Sequence, residues 1–276
     1  MWFKKAAEQG HSGAQHVVGK LLCKGTGVTK DEAEAVRWFR KAAAQGNAAS
    51  QWELGFCYST GSGVAVDKAR AVSWFLRAAE QGHALAQFFL GLRYRDGVGV
   101  SEDQAESVRW YRKAAEQGLA MAQTELGLAY KTATGVEMNA KEALRWFQKA
   151  ADQKDSCGQW LLGSCHQEGI GVEVNGTEAV RWFRSAAEQG YADAQFRLGI
   201  CYHEGVGVEK NLTEALRWFR KAANQGHANS QCMMGLCFEH GSGTSKDEAE
   251  AVRWYRKASE QGLGVAQQAL RDRRLL

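Results

Sequence analysis

Ala84-Leu85-Ala86-Gln87-Phe88-Phe89-Leu90-Gly91-Leu92-Arg93-Tyr94 places Ala86, Leu90 and Tyr94 at steps of four, on one face of a helix. Asp96-Gly97-Val98-Gly99 then interrupts the pattern, and a second helical run starts at Asp103. Asp103 suits an N-cap, because its carboxylate accepts from backbone N–H groups that the first turn leaves unbonded. Glu106, three residues on, completes an Asp version of the capping box. Trp110-Tyr111 follows, and the run closes at Gly118, a residue suited to a left-handed C′ position. One loop therefore joins two helices.

This segment recurs along the chain with no insertion. Tryptophan stands at Trp2, Trp38, Trp74, Trp110, Trp146, Trp182, Trp218 and Trp254, always 36 residues apart, and an aromatic follows each. The closing glycine recurs at Gly10, Gly46, Gly82, Gly118, Gly190, Gly226 and Gly262, and Lys154 breaks the column. The cap position holds Asp31, Asp67, Asp103, Asn139, Asn175, Asn211 and Asp247, and six of these seven units complete the capping box. Glycine also recurs inside the first helix, as at Gly19, Gly91 and Gly199. Helical glycine costs about 1 kcal/mol, so the column implies a helix crossing too close for a Cβ.

A fixed period of this length marks a stacked repeat array, because one helical hairpin cannot bury both of its faces alone. The expectation is an all-α chain of fifteen helical segments without a sheet, forming a single repeat domain over 1–276. Residues 1–11 read as a partial repeat, the second helix only, helical but poorly held. Residues 12–263 make seven complete units, and 264–276 a first helix that caps the array, with Arg271 replacing the recurring glycine. The weakest place should be the junction of the fourth and fifth units. There Ala133 replaces a loop glycine and Gln153-Lys154-Asp155 replaces the Gln-Gly ending.

Composition excludes several classes. With 45% apolar and 24% charged residues among 276, the chain is not wholesale disordered. Proline is absent, which removes proline-rich linkers and PxxP ligands. A net charge of +4 does not by itself call for nucleic acid, and no apolar run is long enough for a membrane span. Seven cysteines, an odd number, and an N-terminus without signal-peptide character point to free thiols and a cytoplasmic location.

The candidate chemistry reads as structural. Cys57, Cys165, Cys201 and Cys237 share one repeat column. Equivalent positions on stacked helices lie about 8–10 Å apart, beyond the roughly 7 Å reach of a disulfide, and do not converge as zinc ligands would. Small apolar filler is the better reading. His11, His83 and His227 share a position after the closing glycine that also takes Leu119 and Tyr191, as a tolerant turn would. No HExxH, G-x-S-x-G or CxxC pattern is present, so no catalytic residue, metal site or cofactor is assigned. The arginines before the tryptophans and the lysines three after them complement the helix dipole, with glutamates at the helix start. The basic stripe this leaves is mild and interspersed with acids, so no nucleic-acid partner is expected.

The string from Ala192-Asp193-Ala194-Gln195-Phe196-Arg197-Leu198-Gly199 through Tyr202, Gly205-Val206-Gly207-Val208 and Ala215-Leu216-Arg217-Trp218-Phe219 to Ala222-Ala223 and Gly226 resembles the Sel-1-like repeat family, relatives of tetratricopeptide arrays. The resemblance covers the whole chain. It implies a right-handed α/α superhelical solenoid and a non-catalytic adaptor that binds a peptide segment or helix of another protein on its concave face. Two other readings accompany it. One is an accessory or weakly hydrolytic role, as in some bacterial relatives; the other is a structural spacer within a longer protein. The regular cysteine pairs of the secreted branch are missing here.

The partner-binding candidates come from the columns that vary within this one chain. Trp52, Phe56, Phe88 and Leu92 would form one apolar patch, with Arg93, Arg95 and Lys131 beside it. Trp160, Phe196 and Ile200 would form a second, near His203 and Glu204. Aromatics beside long charged side chains have the composition of binding hot spots, and Arg95 and Lys131 predict acidic residues on the partner. The competing reading is that these aromatics fill the gap between adjacent first helices. Exposure of Trp52 and Phe88 separates the two.

Overall fold

The computed structural model describes residues 2–275. The described residues are helices and connecting turns, and they fall into two compact units that divide after Asn139. The first holds α1 (Trp2–Glu8), α2 (Ser12–Lys24), α3 (Glu32–Ala44), α4 (Ala48–Thr60), α5 (Lys68–Glu80), α6 (Ala84–Asp96), α7 (Gln104–Glu116) and α8 (Ala120–Thr132). The second holds α9 (Ala140–Asp152), α10 (Ser156–Glu168), α11 (Gly176–Glu188), α12 (Ala192–Glu204), α13 (Leu212–Asn224), α14 (Ala228–His240), α15 (Glu248–Glu260) and α16 (Gly264–Asp272). These are sixteen helices rather than the fifteen expected, because both ends contribute a single helix. None is long and apolar enough to cross a membrane.

Within each unit, every helix packs on its neighbours in the chain, giving an all-α solenoid of paired helices. The second helices bury an Ala-aromatic stripe, such as Ala35, Phe39, Ala42 and Ala43 on α3. The aromatic lies over the glycine of the preceding first helix. A Cβ on Gly19 would come within 2.5 Å of the Phe39 ring, and one on Gly199 within 2.6 Å of Phe219. The close crossing read from the sequence is therefore present. At the N-terminus Ala7 is buried while Trp2 and Phe3 stand exposed, so α1 is covered on one side only.

Caps set the length of each helix. Asp31, Asp67, Asp103, Asn175, Asn211 and Asp247 each accept from the backbone N–H three residues on. The other half of the expected capping box is not made. The Asp31 N–H donates to the Leu22 carbonyl on the previous helix, and Asp103 does the same to Tyr94. The glutamate is free to pair with the arginine three residues on, as Glu34 does with Arg37 at 3.2 Å. The first helices bring a second correction. His11, His83 and His227 are N-caps, their Nδ1 atoms accepting from the backbone N–H of Ala14, Ala86 and Ser230.

At the two departures from the glycine pattern the local backbone conformation is kept. Lys154 takes the left-handed conformation of the missing glycine at φ +63°, and Ala133 does so at φ +57°. Both carry a Cβ where the other units carry none.

Within each unit a glutamine ladder joins successive hairpins. Gln51 donates to the Ala43 carbonyl at 3.3 Å, and Gln81 donates to the Gln51 side-chain oxygen at 2.7 Å. The same pattern runs through Gln195, Ala187 and Gln225. The ladder glutamines Gln15, Gln51, Gln87, Gln123, Gln159, Gln195 and Gln231 are all buried.

Candidate binding face

The first helices carry the candidate residues, and packing decides which of them meet solvent. On α4, Trp52 is half-buried and stacks on Phe56 at 5.7 Å, with Phe56 39% exposed. His83 also stacks on Trp52 at 5.8 Å, and Phe89 meets the indole edge-on at 6.2 Å. Burial lowers the His83 pKa, keeping the imidazole neutral so that Nδ1 can cap α6. His83 and Phe89 thus belong to this patch although the sequence reading left them out. The position of His83 as an N-cap is the signal that would have placed it next to the preceding helix.

Phe88 does not belong to the surface. It is 7% exposed and packs against Tyr111 at 5.8 Å and Phe89 at 5.7 Å. The expected four-residue patch therefore contracts to Trp52 and Phe56 with a half-buried Leu92. Trp52 itself packs on the core around Phe75 and Leu90, so gap-filling and exposure share this column.

The charged candidates are partnered. Arg93 donates to the Ser59 hydroxyl at 2.9 Å. Arg95 pairs with Asp96 through Nε at 2.8 Å and with Glu125 through Nη1 at 3.1 Å. Arg95 is thus already paired with two carboxylates of its own chain. Lys131 lies half-buried near the end of α8.

In the second unit Trp160 is half-buried and tilted over Tyr191 at 5.7 Å. Phe196 instead joins His227 at 5.0 Å and Phe219 at 6.1 Å, and Ile200 packs on that same cluster. Trp160 packs on the neighbouring cluster around Phe183. The second patch is therefore two half-buried clusters. His203 lies 6.5 Å from the Phe219 ring, and Glu204 is exposed.

The remaining functional columns are occupied by structural work. Cys57, Cys165, Cys201 and Cys237 are buried, and burial pushes the Cys57 thiol up to about 12 and Cys201 and Cys237 to about 11. On the second helices, lysine lies over the tryptophan three residues earlier, Lys113 at 3.9 Å from Trp110 and Lys221 at 4.0 Å from Trp218. Among the described residues no group of three or more His, Cys, Asp or Glu side chains is placed to hold a metal ion.

The model of the Sel1 repeat matches residues 1–11, 12–47, 48–83, 84–119, 120–155, 158–191, 192–227 and 228–263. Among solved structures, the chain is similar to a protective antigen present in uropathogenic Escherichia coli strains that displays an SLR fold. The identity is 41% and the TM-score 0.87, over 98% of this chain and 58% of that one. It is also similar to a Sel1 repeat protein from Oxalobacter formigenes, at 36% identity and TM-score 0.82, over 98% and 78% of the two chains. An immunity protein from Pseudomonas aeruginosa shares the fold at 19% identity and TM-score 0.52, over 79% and 82%. None of the curated proteins matches the chain.

Proposed function

We propose, from the premise that this chain belongs to the Sel1 repeat family, that it is a non-catalytic scaffold holding a segment of another protein along its first helices. The observation that carries this reading is the contrast between columns on one helix face. Positions such as Leu54, Leu90 and Leu198 stay fully buried and uniform, while the neighbouring column changes from His16 to Trp52, Phe88, Thr124 and Trp160. Packing alone favours one repeated solution in a repeated frame. The changing column leaves Trp52 and Trp160 half-exposed, and Phe56 beside Trp52 more so. Aromatic anchors of this kind dominate the energetics of protein interfaces.

A peptide library selected on the full chain tests the reading. Trp52→Ala and Trp160→Ala should each weaken selected peptides by about 30-fold, the equivalent of about 2 kcal/mol, while the melting transition remains cooperative. Undiminished binding with both tryptophans truncated would remove this face from consideration.

A further inference from the structure

The first helices α2 and α4 meet side by side in a fixed register. His16 Nδ1 lies 3.0 Å from the Ser50 hydroxyl, 34 residues on. One turn later Lys20 pairs with Glu53 at 3.4 Å. A further turn along both helices, seven residues beyond His16 and Ser50, stand Cys23 and Cys57. Seven residues are nearly two full turns, so this pair falls on the two faces that His16 and Ser50 already bring together.

The same two positions meet on other first helices. Arg93 donates to Ser59 at 2.9 Å, and Arg273 pairs with Glu239 at 2.7 Å, each pair 34 residues apart like Cys23 and Cys57. Cys57 is buried in the cluster of Val36, Phe39 and Leu54, and the half-buried Cys23 packs against that cluster. Cys23 is also the ionisable group that acts most strongly on the Cys57 thiol, ahead of Glu53 and Glu32. In the rest of the cysteine column this register supplies no second thiol. The residues 34 before Cys165, Cys201 and Cys237 are Lys131, Gln167 and His203.

Both thiols are held neutral. Burial raises Cys23, with Glu53 and Glu32 adding to it, and burial pushes Cys57 up to about 12. Dithiols whose disulfide is readily reduced owe this to a reduced form stabilised as a thiolate. This pair has no such stabilisation, and a disulfide presents no ionised form to desolvate. Access separates the two sulfurs: Cys23 is partly open to solvent and Cys57 is buried, which sets the order in which they react.

We propose that Cys23 and Cys57 form a reversible thiol–disulfide site, oxidised by a low-molecular-weight disulfide such as oxidised glutathione, that ties α2 to α4. Cys23 gives its proton to water, and its thiolate attacks one sulfur of the oxidant. That S–S bond breaks, and one glutathione leaves as a thiolate and takes up a proton. Cys57 then loses its proton to solvent, attacks the Cys23 sulfur and displaces the second glutathione, which is protonated in turn. Two protein thiols are oxidised, and one small disulfide is reduced to two thiols. The bond closes a loop that contains all of α3, so α2, α3 and α4 become one covalent ring. The scaffold reading above does not enter this argument.

Incubation of the reduced full chain with graded ratios of oxidised to reduced glutathione tests the proposal. The native protein should lose two hydrogens in mass, and peptide mapping should link Cys23 to Cys57. Two variants use residues that other repeats already carry at these positions, Ala129 and Ser59. Cys57→Ala should stop at a mixed disulfide on Cys23 that lasts at least about 10-fold longer than in the parent chain. Cys23→Ser should leave Cys57 unmodified. Cys157→Ser removes the other half-buried thiol and should form the bond as the parent does. The oxidised chain should unfold at higher urea than the reduced one, and dithiothreitol should restore the lower midpoint. A mixed disulfide on Cys23 as long-lived in the parent as in Cys57→Ala would overturn the proposal. So would a bond that forms only in denaturant, a main product linking Cys23 to any other cysteine, or a cross-linked chain with a lower midpoint.

Discussion

The Gln117 side chain donates to the Gln87 side-chain oxygen at 2.7 Å, and Gln87 donates onward to the Ala79 carbonyl at 3.0 Å. One buried amide thereby bonds its own hairpin and the one before it. Replacing it with an apolar side chain of similar size leaves the Gln117 amide without its acceptor. Gln87→Leu is expected to lower unfolding stability by about 1–3 kcal/mol, measured by urea denaturation. An unchanged midpoint would mean that the ladder contributes no net stability.

Lys154 provides the opposite case, a place where the sequence is short of its optimum. Its φ of +63° is comfortable for the glycine that the neighbouring units use and strained for lysine. Lys154→Gly is expected to stabilise by up to about 1 kcal/mol, the relief of strain exceeding the added freedom of the unfolded chain. Gly190→Lys, at the equivalent turn with φ +92°, should shift the urea midpoint the other way.

Acid should loosen the C-terminal end before the rest. Glu239 accepts from Tyr255 and pairs with Arg273 at 2.7 Å. Burial raises its pKa, but the Tyr255 hydroxyl and the Arg273 guanidinium outweigh it and hold the carboxyl below its ordinary 4.5. A depressed folded pKa means that the stabilisation is complete above 4.5 and is lost as pH falls through the lower, folded value. Hydrogen exchange in residues 264–272 should accelerate over that acid range. Arg273→Gln should show fast exchange already at neutral pH and a flatter profile.

Thiol reactivity should follow burial. Cys23 and Cys157 are half-buried and the other five cysteines are buried. With thiols pushed to about 11 and about 12 and no access to solvent, Cys201, Cys237 and Cys57 should react with iodoacetamide at pH 8 at least about 100-fold more slowly than an unstructured peptide cysteine. Peptide mapping of the native protein should find Cys23 and Cys157 modified first. Early modification of Cys201 would mean that α12 opens readily.

The hairpins were legible because each unit repeats its own evidence: a cap, an aromatic, a closing glycine. What escaped the sequence was where a backbone group goes when its partner is on another helix. The Asp103 N–H looked available to Glu106, but the loop brings the Tyr94 carbonyl to it first. Gln87, set between Ala86 and Phe88, gave no sign that it faces Ala79 on the preceding helix. Within the variable column, a one-dimensional reading cannot separate Trp52 from Phe88. The difference lies in what stands opposite: Phe88 is enclosed with Tyr111 and Phe89, while Trp52 extends beside Phe56 at the surface. Arg95 likewise looked like an available cation until the next first helix placed Glu125, 30 residues later, at 3.1 Å.

The inter-helix loop is pinned at both sides. A Cβ on Gly63 would collide with the Glu32 carbonyl at the start of the preceding second helix, and the Asp67 N–H is bonded to the Tyr58 carbonyl. A loop tied at two points cannot absorb an extra residue or lose one without breaking a contact to its neighbour. Small insertions and deletions are therefore closed to this lineage as a source of novelty. Two routes remain open: point changes at unpinned columns, and gain or loss of whole modules by recombination between similar coding segments. Ancestry should then be written in the number and order of modules, with each module's age readable from its departures at the columns that packing leaves free.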